Sequence, residues 1–165
     1  MGREYDIDDH RTYRQYELGI LGDLQHQENW AEATKIMIDL AQKLEAGGAD
    51  VIVICTNTMH KMAAEVMDAV SVPLLHIADA TATTIVSANI KKVALLGTAF
   101  TMERDFYKGR LMDKFGLEVV VPDEADRAVI HDIIYNELCL GIINEHSKNR
   151  YLDIIDSLIG ICVGR

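Results

Sequence analysis

The run Val51-Ile52-Val53-Ile54-Cys55 constrains the fold most, because it is apolar without interruption and built mainly from β-branched side chains. A strand with one face in water alternates apolar and polar residues, so an unbroken run suits a strand covered on both faces, as in a parallel sheet. Parallel strands need crossover connections, usually helices, and the flanking sequence supplies them. Upstream, Asn29 is a plausible N-cap with Glu32 three positions on; Trp30, Ala33, Ile36, Met37, Leu40 and Leu44 recur at helical spacing, and Gly47-Gly48 give a stop. Downstream the cycle repeats. A helix is predicted near Met59–Val70 and a strand at Leu74–Ile77, then a small-residue helix from Ala78 to Ala88 and a strand at Val93–Gly97. A helix near Thr101–Phe115 closes at Gly116, the strand Leu117–Val121 stops at Pro122, and helices follow near Glu124–Leu138 and Ser147–Leu158. Strands alternating with helices of this length define an α/β fold with an open, mostly parallel sheet.

Two stretches fit the alternation poorly. Residues 1–27 are charge-rich at the start and have no clean period, and Ile159–Arg165 reads as a strand that stops as soon as it starts. The opening Met1-Gly2-Arg3-Glu4-Tyr5-Asp6 is polar and acidic, unlike a signal peptide, and no apolar run approaches the ~18 residues that span a bilayer. The expected location is the cytoplasm, with no membrane partner.

Charge narrows the partners. Sixteen basic residues against twenty-six acidic ones give a formal net charge of −10. Nucleic-acid binding rests on clustered Lys and Arg, so that class is excluded. Small acidic ligands are not, because a pocket can be locally positive within a negative protein. Three widely spaced cysteines make no disulfide framework and fit a thiol protein of a reducing compartment.

In open α/β sheets ligands bind beyond the carboxyl ends of the strands, and two strand ends carry unusual polar residues. The first is Cys55-Thr56-Asn57-Thr58, running into Met59-His60-Lys61. A thiol just before a helix faces unpaired backbone N–H groups and the positive end of the helix dipole, and both favour thiolate over thiol. The same groups, with the Thr and Asn side chains, can cradle a carboxylate. On spacing alone a second reading stands equal: a buried strand cysteine followed by capping residues. The other strand end is Gly97-Thr98-Ala99-Phe100-Thr101, where Thr101 reads as an N-cap and Thr98 is better placed to reach a ligand. Cys139 reads as a core residue on a helix and His76 as a core histidine in a strand, whereas His60 could tune Cys55 or a ligand. Arg104, Lys108 and Arg110 read as solvated. His10, His26, His131 and His146 show no metal-ligand spacing with the cysteines, and no glycine-rich nucleotide loop is present, so no metal and no cofactor are expected.

Val53-Ile54-Cys55-Thr56-Asn57-Thr58-Met59-His60-Lys61 resembles the first catalytic-cysteine motif of the aspartate/glutamate racemase family. Leu74–Thr81, Val93–Thr98 with Thr101-Met102-Glu103, Asp105–Leu111 and Glu137–Gly141 resemble further segments of that family in the same order. The resemblance implies two racemase-like α/β lobes, residues 1–88 and 89–165, each with a mostly parallel sheet flanked by helices and each incomplete. It implies cofactor-independent racemisation of a small acidic amino acid: one cysteine removes the α-proton as a thiolate and a second returns one from the opposite face. Cys55 would be one of the pair, and Thr56, Asn57, Thr58 and Thr98 would hold the α-carboxylate and amino group.

The ends depart from the family pattern. Leu18–Asp23 stands where the family has a strand ending in a Gly-Gly-Met-Ser type turn. Cys162 lies near the second cysteine's place in chain order, within Gly160-Ile161-Cys162-Val163-Gly164-Arg165 rather than Gly-Cys-Thr-Glu, and the family's closing segment is absent. The expectation is therefore an aspartate/glutamate-type racemase, impaired if Cys162 cannot act; the alternative is a silent relative binding a small carboxylate or a partner subunit. Unpaired sheet edges usually find a partner, so a homodimer is expected.

Overall fold

The computed structural model describes residues 20–163, the side chains of 162 and 163 excepted. Most of the atypical opening stretch, His10 included, lies outside the described residues. The chain divides into two compact units: the first runs to Ile52 and resumes over Ala64–Pro73, and the second comprises Val53–Ala63 and Leu74 onward.

The first unit holds helix α1 (residues 20–26), helix α2 (Trp30–Ala46) and most of α3 (Ala63–Ala69). The predicted cap forms: Asn29 Oδ1 accepts the Glu32 N–H at 3.4 Å. Small side chains, Ala33 and Ala41, make the buried stripe of α2. Glu45 in its last turn accepts the backbone N–H groups of Ser71 (2.7 Å) and Val72 (3.2 Å) and the Ser71 hydroxyl, satisfying a turn that has no ladder partner. Those donors, the Ser71 hydroxyl foremost, hold the Glu45 carboxyl below its ordinary range. Strand β1 (Ile52–Val53) and strand β2 (Leu74–Leu75) form a two-stranded sheet, and the Ile52 N–H donates to the Pro73 carbonyl at 2.9 Å.

The second unit contains α4 (Ile77–Ser87), β3 (Lys92–Ala94), α5 (Ala99–Glu103), α6 (Asp105–Phe115), β4 (Glu118–Val120), α7 (Glu124–Asn136) and α8 (Glu145–Val163). Strands β3 and β4 run parallel in the register Lys92–Glu118, Val93–Val119, Ala94–Val120. The period-2 alternation of side chains sorts their apolar residues onto two faces. Leu95 and Val119 join a core of Ala78, Ala82, Tyr107, Leu111 and Leu117, under α4 and α6. Ala94, Leu96, Val120 and Val121 join Met102, Ile130, Ile154 and Leu158, under α7 and α8. This pair of strands is covered on both faces, as their continuous apolar runs require. Strand β1 is not: Ile52 and Ile54 are buried, while Val51 and Val53 are about half exposed, at 47% and 53%.

The α/β class and the helix–strand order hold, with four corrections. The predicted helix Thr101–Phe115 breaks at Arg104, whose φ of −94° and ψ of 152° are extended. Met102 and Tyr107 belong to opposite cores, and the break lets α5 and α6 bury them separately. The predicted helix at Met59–Val70 opens with a 3-10 segment, Thr58–Met62, before α3. Ile159–Val163 is not a strand: α8 continues to Val163, because Ile154 and Leu158, four apart, set a helical buried stripe. Cys139 is not core: α7 ends at Asn136, and a 3-10 turn (Leu138–Leu140) carries the thiol into solvent.

Gly116 ends α6 with φ +66°, a left-handed conformation that favours glycine. The Leu117 N–H then reaches back to the Leu111 carbonyl at 3.2 Å while the two leucines share a core. No helix among the described residues is long and apolar enough to cross a membrane.

Candidate functional site

All the described candidate residues lie in the second unit. Alternation along β1 turns Ile54 inward and Cys55 outward, so the thiol is exposed beyond the strand's carboxyl end. This removes the reading of Cys55 as a buried strand cysteine. The following turn divides its side chains: Thr56 is half-buried, Asn57 exposed and Thr58 buried, at 7%. Asn57 makes no side-chain capping bond to the 3-10 helix, and its carbonyl accepts the His60 N–H at 3.1 Å. The Asn57 amide is therefore left for solvent or a ligand.

His60 ties the turn down. Its Nδ1 lies 2.7 Å from the Thr56 carbonyl, and its Nε2 accepts the Ile77 N–H at 3.1 Å. His76 lies beyond β2, at the N-cap of α4, where its Nδ1 accepts the Ala78 N–H at 3.2 Å. The rings pack with centroids 4.3 Å apart. Burial lowers the pKa of both; that of His76, further opposed by His60 and Arg110, falls to about 4. Both rings are neutral near pH 7.

Asp79, in the first turn of α4, receives Arg110 Nε (2.5 Å) and Nη2 (2.9 Å) and Lys114 Nζ (2.6 Å) from α6. Arg110 is thus not simply solvated. Its hydrogen bonds keep the Asp79 carboxyl well below the usual range, and the pairing raises Arg110 in turn.

Thr98 sits at the other strand end, four residues past β3, at the N-cap position of α5 and half-buried. It, not Thr101, starts the helix: its carbonyl accepts the N–H groups of Thr101 (2.9 Å) and Met102 (3.0 Å). Its hydroxyl lies 3.4 Å from that of Thr101, which is buried. Gly97 leaves room for this turn: a Cβ there would meet the Thr101 side chain at a tight 3.2 Å. His131 Nδ1, on α7, accepts the Ala99 N–H at 3.1 Å. So the helices that follow β2 and β3 each begin with a backbone N–H bound to a histidine nitrogen. Asp79 and the capping histidines were not read as a group from the sequence, although Arg110 and Lys114 stand at i, i+4 facing an acidic helix start.

Among the described residues no group of three or more His, Cys, Asp or Glu could hold a metal ion. The apolar groove between β3 and α8, lined by Ile90, Val93, Leu96, Ile155, Leu158 and Ile159, includes no candidate site residue. Cys162 lies in the last turn of α8.

Fold and site together define an α/β protein that presents a solvent-facing cysteine beyond the end of a strand, next to a turn held by a buried histidine. The sequence profile of the Asp/Glu/hydantoin racemases matches residues 20–161, and the chain belongs to that family. It is 38% identical over 98 residues to the broad specificity amino-acid racemase RacX of Bacillus subtilis (strain 168), a match covering 59% of this chain and 42% of that protein. A crystal structure ascribed to an Asp/Glu racemase from Yersinia pestis superposes with a TM-score of 0.82 at 48% identity, covering 86% of this chain and 62% of that one. An aspartate racemase homologue from Pyrococcus horikoshii OT3 gives 0.64 at 40% identity, covering 72% and 52%. The chain thus spans roughly half the length of these relatives.

Proposed function

We propose that this chain supplies the Cys55 half of a cofactor-independent amino-acid racemase site for aspartate or glutamate. The observation that supports it most is the exposed Cys55 thiol beyond β1, in a turn fixed by His60, within a chain of the racemase family. In this reading the Cys55 thiolate removes the α-proton from the face it meets, and a thiol on the opposite face returns one. Inversion needs an acid and a base on opposite sides of Cα, and thiols can act as both near neutral pH. Thr56, Asn57, Thr58 and Thr98 bind the α-carboxylate and amino group, Asn57 being the most available to a ligand. Residues 1–88 and 89–165 form the two lobes, and the protein works in the cytoplasm as a homodimer.

One observation favours a second reading, a silent or impaired relative that binds a small carboxylate or a partner subunit. Cys162, the other candidate base, lies on the last turn of a helix rather than beyond a strand. A base misplaced by ~1 Å can cost about 100-fold. Solvent deuterium incorporation at Cα, measured for each enantiomer of aspartate and glutamate, separates the readings. Exchange from both means a working pair, exchange from one means Cys55 acts alone, and exchange from none leaves a binding protein.

A further inference from the structure

We propose that His60 is a positioning residue, which as the Nδ1–H tautomer fixes the Cys55-Thr56-Asn57 turn to the start of α4. Its catalytic meaning rests on the reading of Cys55 as a base; its geometry does not.

The tautomer follows from what each partner can do. A backbone N–H only donates, so the Ile77 N–H at 3.1 Å requires a lone pair on Nε2. A carbonyl only accepts, so the Thr56 oxygen at 2.7 Å requires the proton on Nδ1. The two demands agree and occupy both nitrogens. His60 is 3% exposed, so it offers no proton to a ligand and cannot serve as the acid or base itself. It joins the carbonyl one residue past the thiol to the amide that opens α4, that of Ile77, seventeen residues beyond His60. His76 secures the far end of this link by capping the next amide, that of Ala78, and packing against the His60 ring. The two amides at the start of α4 thus each meet a histidine nitrogen. Besides the Thr56 bond, the exposed turn between Cys55 and Asn57 is held by the local bond from the His60 N–H to the Asn57 carbonyl, at 3.1 Å.

Two substitutions divide the bonds. His60→Asn places an amide nitrogen near the Nδ1 position and keeps a donor for Thr56 while leaving Ile77 without an acceptor. His60→Gln places an amide oxygen near the Nε2 position and does the reverse. Hydrogen exchange on the whole chain should quicken over residues 55–60 by about tenfold in His60→Gln and by less than about threefold in His60→Asn, the size expected for one local hydrogen bond. Deuterium wash-in at Cα of aspartate should fall in the same order. Equal exchange over 55–60 in the two variants would overturn the proposal, reducing His60 to packing. Nitrogen-15 NMR of the wild-type imidazole gives a test that needs no variant: a protonated Nδ1 with a bare Nε2 is expected, and the opposite tautomer would overturn it. If wild type shows the tautomer and the two variants show the exchange pattern, but wild type gives no wash-in, the racemase reading fails and the positioning role stands.

Discussion

Asp79 on α4 and Arg110 on α6 meet through two parallel hydrogen bonds, 2.5 and 2.9 Å long, beside the histidine pair that anchors the Cys55 turn. Two-point pairs of this kind hold orientation as well as charge. Removing the carboxylate leaves Arg110 half-buried and unmatched. Asp79→Asn should therefore destabilise the fold by about 1–3 kcal/mol. Urea unfolding measures it, and a change inside ±0.5 kcal/mol would show that Arg110 finds water instead.

Acid should weaken the protein in two separate windows. His76 is held neutral down to about 4, against an ordinary value of ~6.5 in the unfolded chain. Between those values the unfolded chain binds the proton and the folded one does not, so stability falls as pH drops, by up to about 1.4 kcal/mol per pH unit. His60 adds in the same direction. Asp79, held low by Arg110 and Lys114, contributes stability above the ordinary carboxylate value of ~3.9 that is lost only as pH falls below it. Unfolding midpoints at pH 7 and 5 should differ for wild type and differ less for His76→Asn, which keeps a capping acceptor without a titrating ring. An equal pH dependence would assign the loss elsewhere.

Asn57 and Thr58 should separate binding from folding. The Asn57 amide is exposed and caps nothing, so Asn57→Ala should leave the melting temperature nearly unchanged while reducing stabilisation by added aspartate. Thr58 is buried, so Thr58→Ala should lower stability by roughly 1 kcal/mol. Thermal melts with and without ligand check both, and the reverse pattern would move the ligand contact from Asn57 to Thr58.

Gly116→Ala should cost about 1 kcal/mol despite open space around the position, because φ is +66°. A neutral substitution, read by urea midpoint, would mean that the turn re-forms with another backbone.

Much of this was legible in the sequence, and the failures share a cause. Periodicity found the helices where one face is buried, as in α2, and found the doubly covered strands through the apolar runs of Val93–Leu96 and Leu117–Val121. It cannot register a change of core along one helix, so Met102 and Tyr107 were read onto a single helix that breaks between them at Arg104. The end of α8 was misread because Ile159-Gly160-Ile161 alternates like a strand while Ile154 and Leu158 fix it as helix. Cys55 stood out by its neighbours' chemistry. The roles of His60 and Asp79 did not, because their partners, Ile77 and Arg110, are supplied only by tertiary contact. That of His76 did not, because its bond to the Ala78 N–H depends on α4 starting at Ile77, inside the stretch that reads as strand.

On the proposed function, Cys55 moves the α-proton. Deuterium wash-in at Cα should be followed for each enantiomer of aspartate in wild type, Cys55→Ser and Cys162→Ser. Exchange is expected in wild type, mainly from the enantiomer whose hydrogen faces Cys55, abolished in Cys55→Ser and largely kept in Cys162→Ser. Exchange that survives in Cys55→Ser would contradict the account.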